Sequence, residues 1–247
     1  MKFIQTYFQV IVEICATSVQ SVKNAEKSGA HRIELCSELA VGGITPSYGL
    51  IKEVLKQTSL PVFVLIRPRS GDFTYSKDEF EAMRSDIQIC KELGCKGIVS
   101  GILNVDYSLD RERTKELIEF SKPLEFTFHR AFDWVKKPEE SIQTLIELGA
   151  HRILTSGQSE SAEMGLETLI QWKKLAENRL TIVPGGGIKP ENVHKFKEAG
   201  FSEIHASASR LMKETIQPKI SMNSLKFFDE SKQFESDAEK IKKLVNN

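Results

Sequence analysis

Gly29-Ala30-His31-Arg32-Ile33 and Gly149-Ala150-His151-Arg152-Ile153 are the same pentapeptide at the same kind of junction. Each follows a stretch of spaced apolar residues and opens a short apolar run, RIELCS in one case and RILTSG in the other. Gly94 opens GCKGIV and Gly200 opens GFSEIH in the same manner. Glycine ends a helix because it adopts the left-handed C′ conformation without a Cβ penalty. All four junctions therefore read as helix, stop, strand. Repeated strand–helix alternation gives a parallel sheet.

Working outward, the apolar runs number eight: Ile11–Thr17, Arg32–Ser37, Pro61–Pro68, Gly97–Leu103, Glu125–Asp133, Arg152–Gly157, Thr181–Ile188 and Glu203–Ser209. Helical stretches such as SVQSVKNAEKSGA and ESIQTLIELGA lie between them. Eight strand–helix units in 247 residues match an α/β fold, a (β/α)8 TIM barrel in a single domain, which typically takes about 250 residues. An open doubly wound sheet is the alternative, but no G-x-G-x-x-G follows the first strand. The pentapeptide precedes strands two and six, and the other glycine junctions precede strands four and eight. That half-barrel offset suggests duplication of a four-unit half, although five matching residues can also arise by coincidence.

Lys+Arg and Asp+Glu balance at 34 each, which removes any overall electrostatic case for nucleic acid or an anionic membrane. No apolar run approaches the ~20 residues of a membrane helix. The opening MKFIQTYFQVIVEI lacks a small-residue cleavage site and does not read as a signal peptide. Cys15, Cys36, Cys90 and Cys95 form no C-x-x-C, so free thiols in a reducing cytoplasm are expected. The barrel is expected over residues 1–217. The polar segment 218–247, amphipathic from Asp237 to Leu244, is expected as a tail packed on the barrel or extending from it.

Alternate strand residues face opposite sides, and the outer face meets helices. This parity sends Val12, Ile14, Ile33, Leu35, Phe126 and Phe128 outward, and Glu13, Cys15, Glu34, Cys36, Arg67, His129 and His205 inward. Arg69 adds a second positive charge at the same rim. A lone buried carboxylate is costly, but neighbouring glutamates and arginines can compensate each other. Such a set could be a salt-bridge network filling the barrel mouth. Its concentration at the C-terminal strand ends, where barrels place their chemistry, favours a ligand site. His31 and His151 precede their strands and belong to the opposite face. His194 falls in a helical stretch.

Pro184-Gly185-Gly186-Gly187 ends strand seven, and Ser207 follows strand eight. Glycines let the backbone approach an anion closely, and these two loops are the usual phosphate site of barrels. A plain turn is the competing reading. No lysine occupies the upper half of a strand, so Schiff-base chemistry lacks a candidate. No H-x-H or H-E-x-x-H supplies a hard-metal site. Cys15 and Cys36 share inward parity on adjacent strands, about 4.8 Å apart. Two soft thiolates suit Cu(I). Two buried cysteines also behave as small hydrophobes, and the sequence alone leaves both readings open.

The strings AEKSGAHRIELCSELAVGGITPSYGLI, VLIRPRSGDFTYS, FTFHRAFD, RILTSG, PGGGI and HASAS, in that order, resemble the CutC family of copper homeostasis proteins. The resemblance runs from strand one to strand eight. It implies a (β/α)8 barrel, a cytoplasmic homodimer and a role in copper tolerance with Cu(I) bound by cysteines. The recurrent polar positions of that family carry onto Glu13, Glu34, Arg67, Arg69, His129, Arg130, Asp133 and His205 here, with Cys36 the cysteine best placed in the motif.

Two functions from different classes are thus expected. One is copper handling through Cys15 and Cys36 without turnover. The other is an isomerase- or lyase-type enzyme acting on a small phosphorylated or carboxylated compound. Glu13 or Glu34 would then be the base, His129 or His205 the acid, Arg67 and Arg69 the clamp, and Gly185, Gly186 and Gly187 with Ser207 the phosphate loop. No organic cofactor is indicated. A scaffold role rests only on the tail and the implied dimer.

Overall fold

A computed structural model describes residues 9–214, 220, 222 and 231–247. The sequence-derived parts at 1–8, and most of the tail between 215 and 230, lie outside the described residues. The chain builds β1 (Ile11–Ala16), α1 (Val19–Lys27), β2 (Arg32–Leu35), α2 (Tyr48–Gln57), β3 (Val62–Leu65) and α3 (Lys77–Leu93). There follow β4 (Gly97–Ser100), α4 (Arg111–Ser121), β5 (Glu125–Phe128), α5 (Pro138–Leu148), β6 (Arg152–Thr155) and α6 (Leu166–Ala176). The series ends with β7 (Thr181–Pro184), α7 (Val193–Glu198) and β8 (Glu203–Ala206).

All eight strands pair in parallel, in the order β7-β6-β5-β4-β3-β2-β1-β8. The ring closes between β7 and β8 through a bridge of Gly185 to His205. The architecture is a (β/α)8 barrel. Outward residues from Val12 on β1 to Ile204 on β8 are fully buried in one core against the helices.

Local chemistry explains where the elements begin and end. Ser18, Ser47, Ser76 and Asp110 cap α1, α2, α3 and α4, their side chains accepting from the backbone N–H three residues on. At Ser76 the partner is Glu79, which reaches back to form a full capping box. Gly29, Gly94, Gly149 and Gly200 follow their helices at φ between +75° and +82°.

The strands stop earlier than the apolar runs. The run Glu125–Asp133 is strand only to Phe128. His129 then accepts from Ala131 N–H and starts a 3-10 turn over Arg130–Trp134. The inward groups at the mouth thus sit on strand ends and on the turns that follow.

After β8 an antiparallel hairpin of β9 (Ser209–Glu214) and β10 (Lys232–Ser236) leads to α8 (Ala238–Asn246), capped by Asp237. Ile241 and Leu244 of α8 are fully buried in the main core. Lys197 on α7 donates to the Leu244 carbonyl at 2.9 Å, and Asn24 on α1 donates to the Ser236 carbonyl at 2.9 Å. Residues 231–247 therefore complete the helical layer between α7 and α1. Among the described residues, no helix is long and apolar enough to cross a membrane.

Candidate functional site

The repeated pentapeptide has the same work in both places. His31 accepts from Val12 N–H at 3.0 Å and His151 from Phe126 N–H at 3.1 Å, each ring bracing the strand before its own. Arg32 and Arg152 turn into the barrel and lie over the Phe63 ring, 4.9 and 5.0 Å from its centroid. Arg32 pairs with Glu13 at 2.5 Å and with Glu203 at 2.6 Å. Arg152 pairs with the same Glu203 at 2.9 Å and with Glu125. The lower barrel is thus an ionic lattice in which two arginines share three glutamates.

Sequence reasoning missed Arg32, Arg152 and Glu203. The signal was available: Arg32 lies two residues before Glu34, and Glu203 two before His205, so each shares its neighbour's inward parity.

One layer higher the pairing is incomplete. His205 Nδ1 lies 2.7 Å from Glu13 Oε1 and 3.8 Å from Glu34 Oε2. Burial alone would raise the Glu13 carboxyl, but Arg32 and His205 outweigh it and hold its pKa at about 2. Burial also disfavours charge on His205, yet the Glu34 and Glu13 carboxylates beside it raise its pKa. Among the described residues no arginine pairs with Glu34. Burial pushes its pKa up to about 7, with His205 opposing and the Glu13 charge reinforcing the rise. Its Oε2 is buried without a hydrogen bond. The two glutamates that the sequence could not tell apart are therefore distinct. Glu13 is a fixed anion, and Glu34 is an unspent carboxyl group.

Cys15 completes this layer. Its Sγ is 3.9 Å from Glu34 Oε1 and 3.4 Å from Cys36 Sγ. The Cys36 thiol and burial push the Cys15 thiol well above its ordinary range, so a metal ion must displace a proton to bind. Donor atoms of Cys15, Glu34 and His205 lie within 4.8 Å of one another. Cys36 packs behind Cys15 with Phe63, Leu65 and Val99.

Above this floor opens a cavity of ≈ 830 Å³. Cys15, Glu34 and His205 form part of its lining, with Arg67 and His129 on one side and Gly186, Gly187 and Ser207 on another. Asp133 lines it too, but its carboxylate is occupied: it accepts from Ser156 N–H at 3.0 Å, from Thr155, and from Arg130 at 2.7 Å. It braces the β6 turn. Gly186 and Gly187 take φ of +100° and +79°, and Gly186 lies against the Arg130 guanidinium.

Four expected residues stand apart. Glu13 is one layer below the cavity, and Cys36 is behind it. Gly185 is the bridge to β8, tight against Leu154. Arg69 is not part of the lining; it is held by its own β3–α3 segment and by α3, pairing with Asp72 at 2.9 Å and Glu79 at 2.5 Å.

The arrangement can offer soft sulfur with nitrogen and oxygen to a metal ion, and buried hydrogen-bond donors to an anion. The profile of the CutC family matches residues 10–210. A mouse protein named copper homeostasis protein cutC homolog is 46% identical over 199 residues, 80% of this chain and 73% of its own. A family protein CutC of Parabacteroides distasonis is 41% identical over 240 residues, covering 95% and 99%. The crystal structure of a Streptococcus agalactiae protein that carries the name CutC superposes with a TM-score of 0.76 at 35% identity, covering 80% of this chain and 98% of that one.

Proposed function

The chain belongs to the CutC family, and on that footing we propose that it is a copper homeostasis protein that holds Cu(I) as cargo between Cys15 and Cys36. The observation that carries this reading is the 3.4 Å approach of the two buried sulfurs beside Glu34 and His205. Thiolate sulfur is the preferred donor for Cu(I). With metal–sulfur bonds of about 2.3 Å, sulfurs this close embrace an ion at a bent angle, which leaves its open side to a third donor. On the Cys15 side that position falls to Glu34 and His205, whose donor atoms lie within 4.8 Å of the Cys15 sulfur. The four cysteines are all free, which supports a reducing, cytoplasmic setting.

The test is anaerobic Cu(I) titration of the reduced protein against a competing chelator, with Cys15→Ser and Cys36→Ser alongside. The parent should take one equivalent, and each variant should bind at least about tenfold more weakly, as loss of a soft ligand requires. Binding by both variants equal to the parent would remove the site.

A further inference from the structure

A single copper ion fills a small part of a cavity of ≈ 830 Å³. That volume is typical of small-molecule sites, about 300–1,000 Å³. One wall of the cavity carries an unbalanced charge. Arg67 is 4 % exposed, and its guanidinium donates to the carbonyls of Val41 and Gly43 at 2.9 Å and of Gly71 at 2.7 Å. All three acceptors are neutral. Among the described residues no carboxylate pairs with it. Asp72 pairs with Arg69 and only feels the Arg67 charge, and the Tyr75 phenol that lies against Arg67 is kept neutral by burial, its pKa pushed up to about 12. A buried cation without a counter-ion is expensive, and the Arg67 Nε–H makes no hydrogen bond.

His129 shares this wall. Phe73 packs against both groups, 4.9 Å from the Arg67 guanidinium and 4.9 Å from the His129 ring. His129 Nδ1 accepts from Ala131 N–H at 3.1 Å, which assigns the ring proton to Nε2. That Nε2 is buried and has no partner. Burial, then the Arg67 charge, keeps the imidazole neutral. His129 is therefore a donor and no counter-ion.

We infer that the cavity binds a small organic carboxylate that neutralises Arg67; Arg67 Nε and His129 Nε2, closed off from solvent and unpartnered, become its donors as the two side chains turn toward it. Hydrogen bonds to an ionised acceptor are about twice as strong as neutral ones, and two single donors match its two oxygens. The opposite wall, with Arg130 beside Gly186, leaves room for a polar far end. The inference stands on residues that the copper reading does not use.

Calorimetry and thermal unfolding of the metal-free reduced protein test it, with acetate, malonate, succinate and 3-phosphoglycerate as probes and chloride and inorganic phosphate as controls at matched ionic strength. At least one carboxylate should bind and raise the melting temperature with concentration, beyond either control. His129→Asn is the informative variant. Its Oδ1 can still accept from Ala131 N–H as an N-cap, while the Nε2 donor is gone. Carboxylate affinity should fall about tenfold, as loss of one hydrogen bond to a charged group requires, with Cu(I) affinity unchanged. No binding by any carboxylate, protection by phosphate alone, or equal affinity in the variant would overturn the inference. The Cu(I) titration of the same variant keeps this outcome separate from that of the copper reading.

Discussion

Gly97 on β4 leaves its side-chain position to the ring of Phe63 on β3: a Cβ there would lie 2.1 Å from Phe63 Cε1. The ring thereby reaches across the barrel and presents itself to Arg32 and Arg152. Gly97→Ala should cost about 1–3 kcal/mol, the usual penalty of overpacking, and lower the melting temperature by several degrees. Thermal unfolding checks this. An unchanged melting temperature would show that the ring turns aside freely and is no platform.

Arg32 neutralises Glu13 and Glu203 at once. Arg32→Met leaves both carboxylates buried with a partner missing and should destabilise by about 3–5 kcal/mol. Arg69→Met, at a more exposed loop pair, should cost at most about 1 kcal/mol. Urea unfolding of the two variants separates them. Equal losses would contradict the buried lattice.

His129 gives the protein a defined acid sensitivity. Burial and the neighbouring Arg67 lower its folded pKa to about 3, against an ordinary value of 6.5. Between those values the unfolded chain holds a proton that the folded one refuses. The stability associated with neutral His129 is fully present above pH 6.5 and lost as pH falls toward 3, by about 1.4 kcal/mol per pH unit. His129→Asn removes that slope. The stability difference between parent and variant, measured from pH 7 to 4, should change by roughly 3 kcal/mol. Parallel curves would mean that the folded imidazole protonates normally.

Gly186→Ala should disturb anion binding more than folding. The backbone there sits at φ +100°, and a Cβ would approach Arg130 Cζ at 3.2 Å and Ser156 Cβ at 3.3 Å. Strain at positive φ costs about 1 kcal/mol. Arg130 is half-exposed and can swing out, giving up its 2.9 Å bond to Ser156. Sulfate protection of parent and variant at matched ionic strength is the measurement. Equal protection would reduce the loop to a turn.

The barrel was legible because its signals are local. Glycine stops, strand parity and the count of apolar runs each depend on a few neighbouring residues, and together they leave one closed architecture. The inward positions of Glu13, Glu34, Cys15, Cys36 and His205 followed from the same parity. Their roles did not, because burial and partners are set by distant strands: only the fold shows that Arg32 forms its ion pair with Glu13 and not with Glu34. Arg69 was misjudged for a related reason. β3 ends at Leu65, so beyond it proximity in sequence to Arg67 no longer means a shared face. The amphipathic stretch from Asp237 to Leu244 was read as a tail, and its place as the eighth outer helix was not legible because a long separation in sequence, with the β9–β10 hairpin, parts α8 from β8.

Hydrogen-bonded ladders join seven of the eight strand boundaries, while the described contact at the eighth is the lone bridge at His205. The residue that clasps the cylinder is the same one that leans on Glu13 and faces the thiols. Cargo gripped through His205 would tighten the clasp, and an empty floor would leave that edge the first to part. Loading would then register as mechanical stiffness along the β7–β8 border, far outside the few ångströms around the ion.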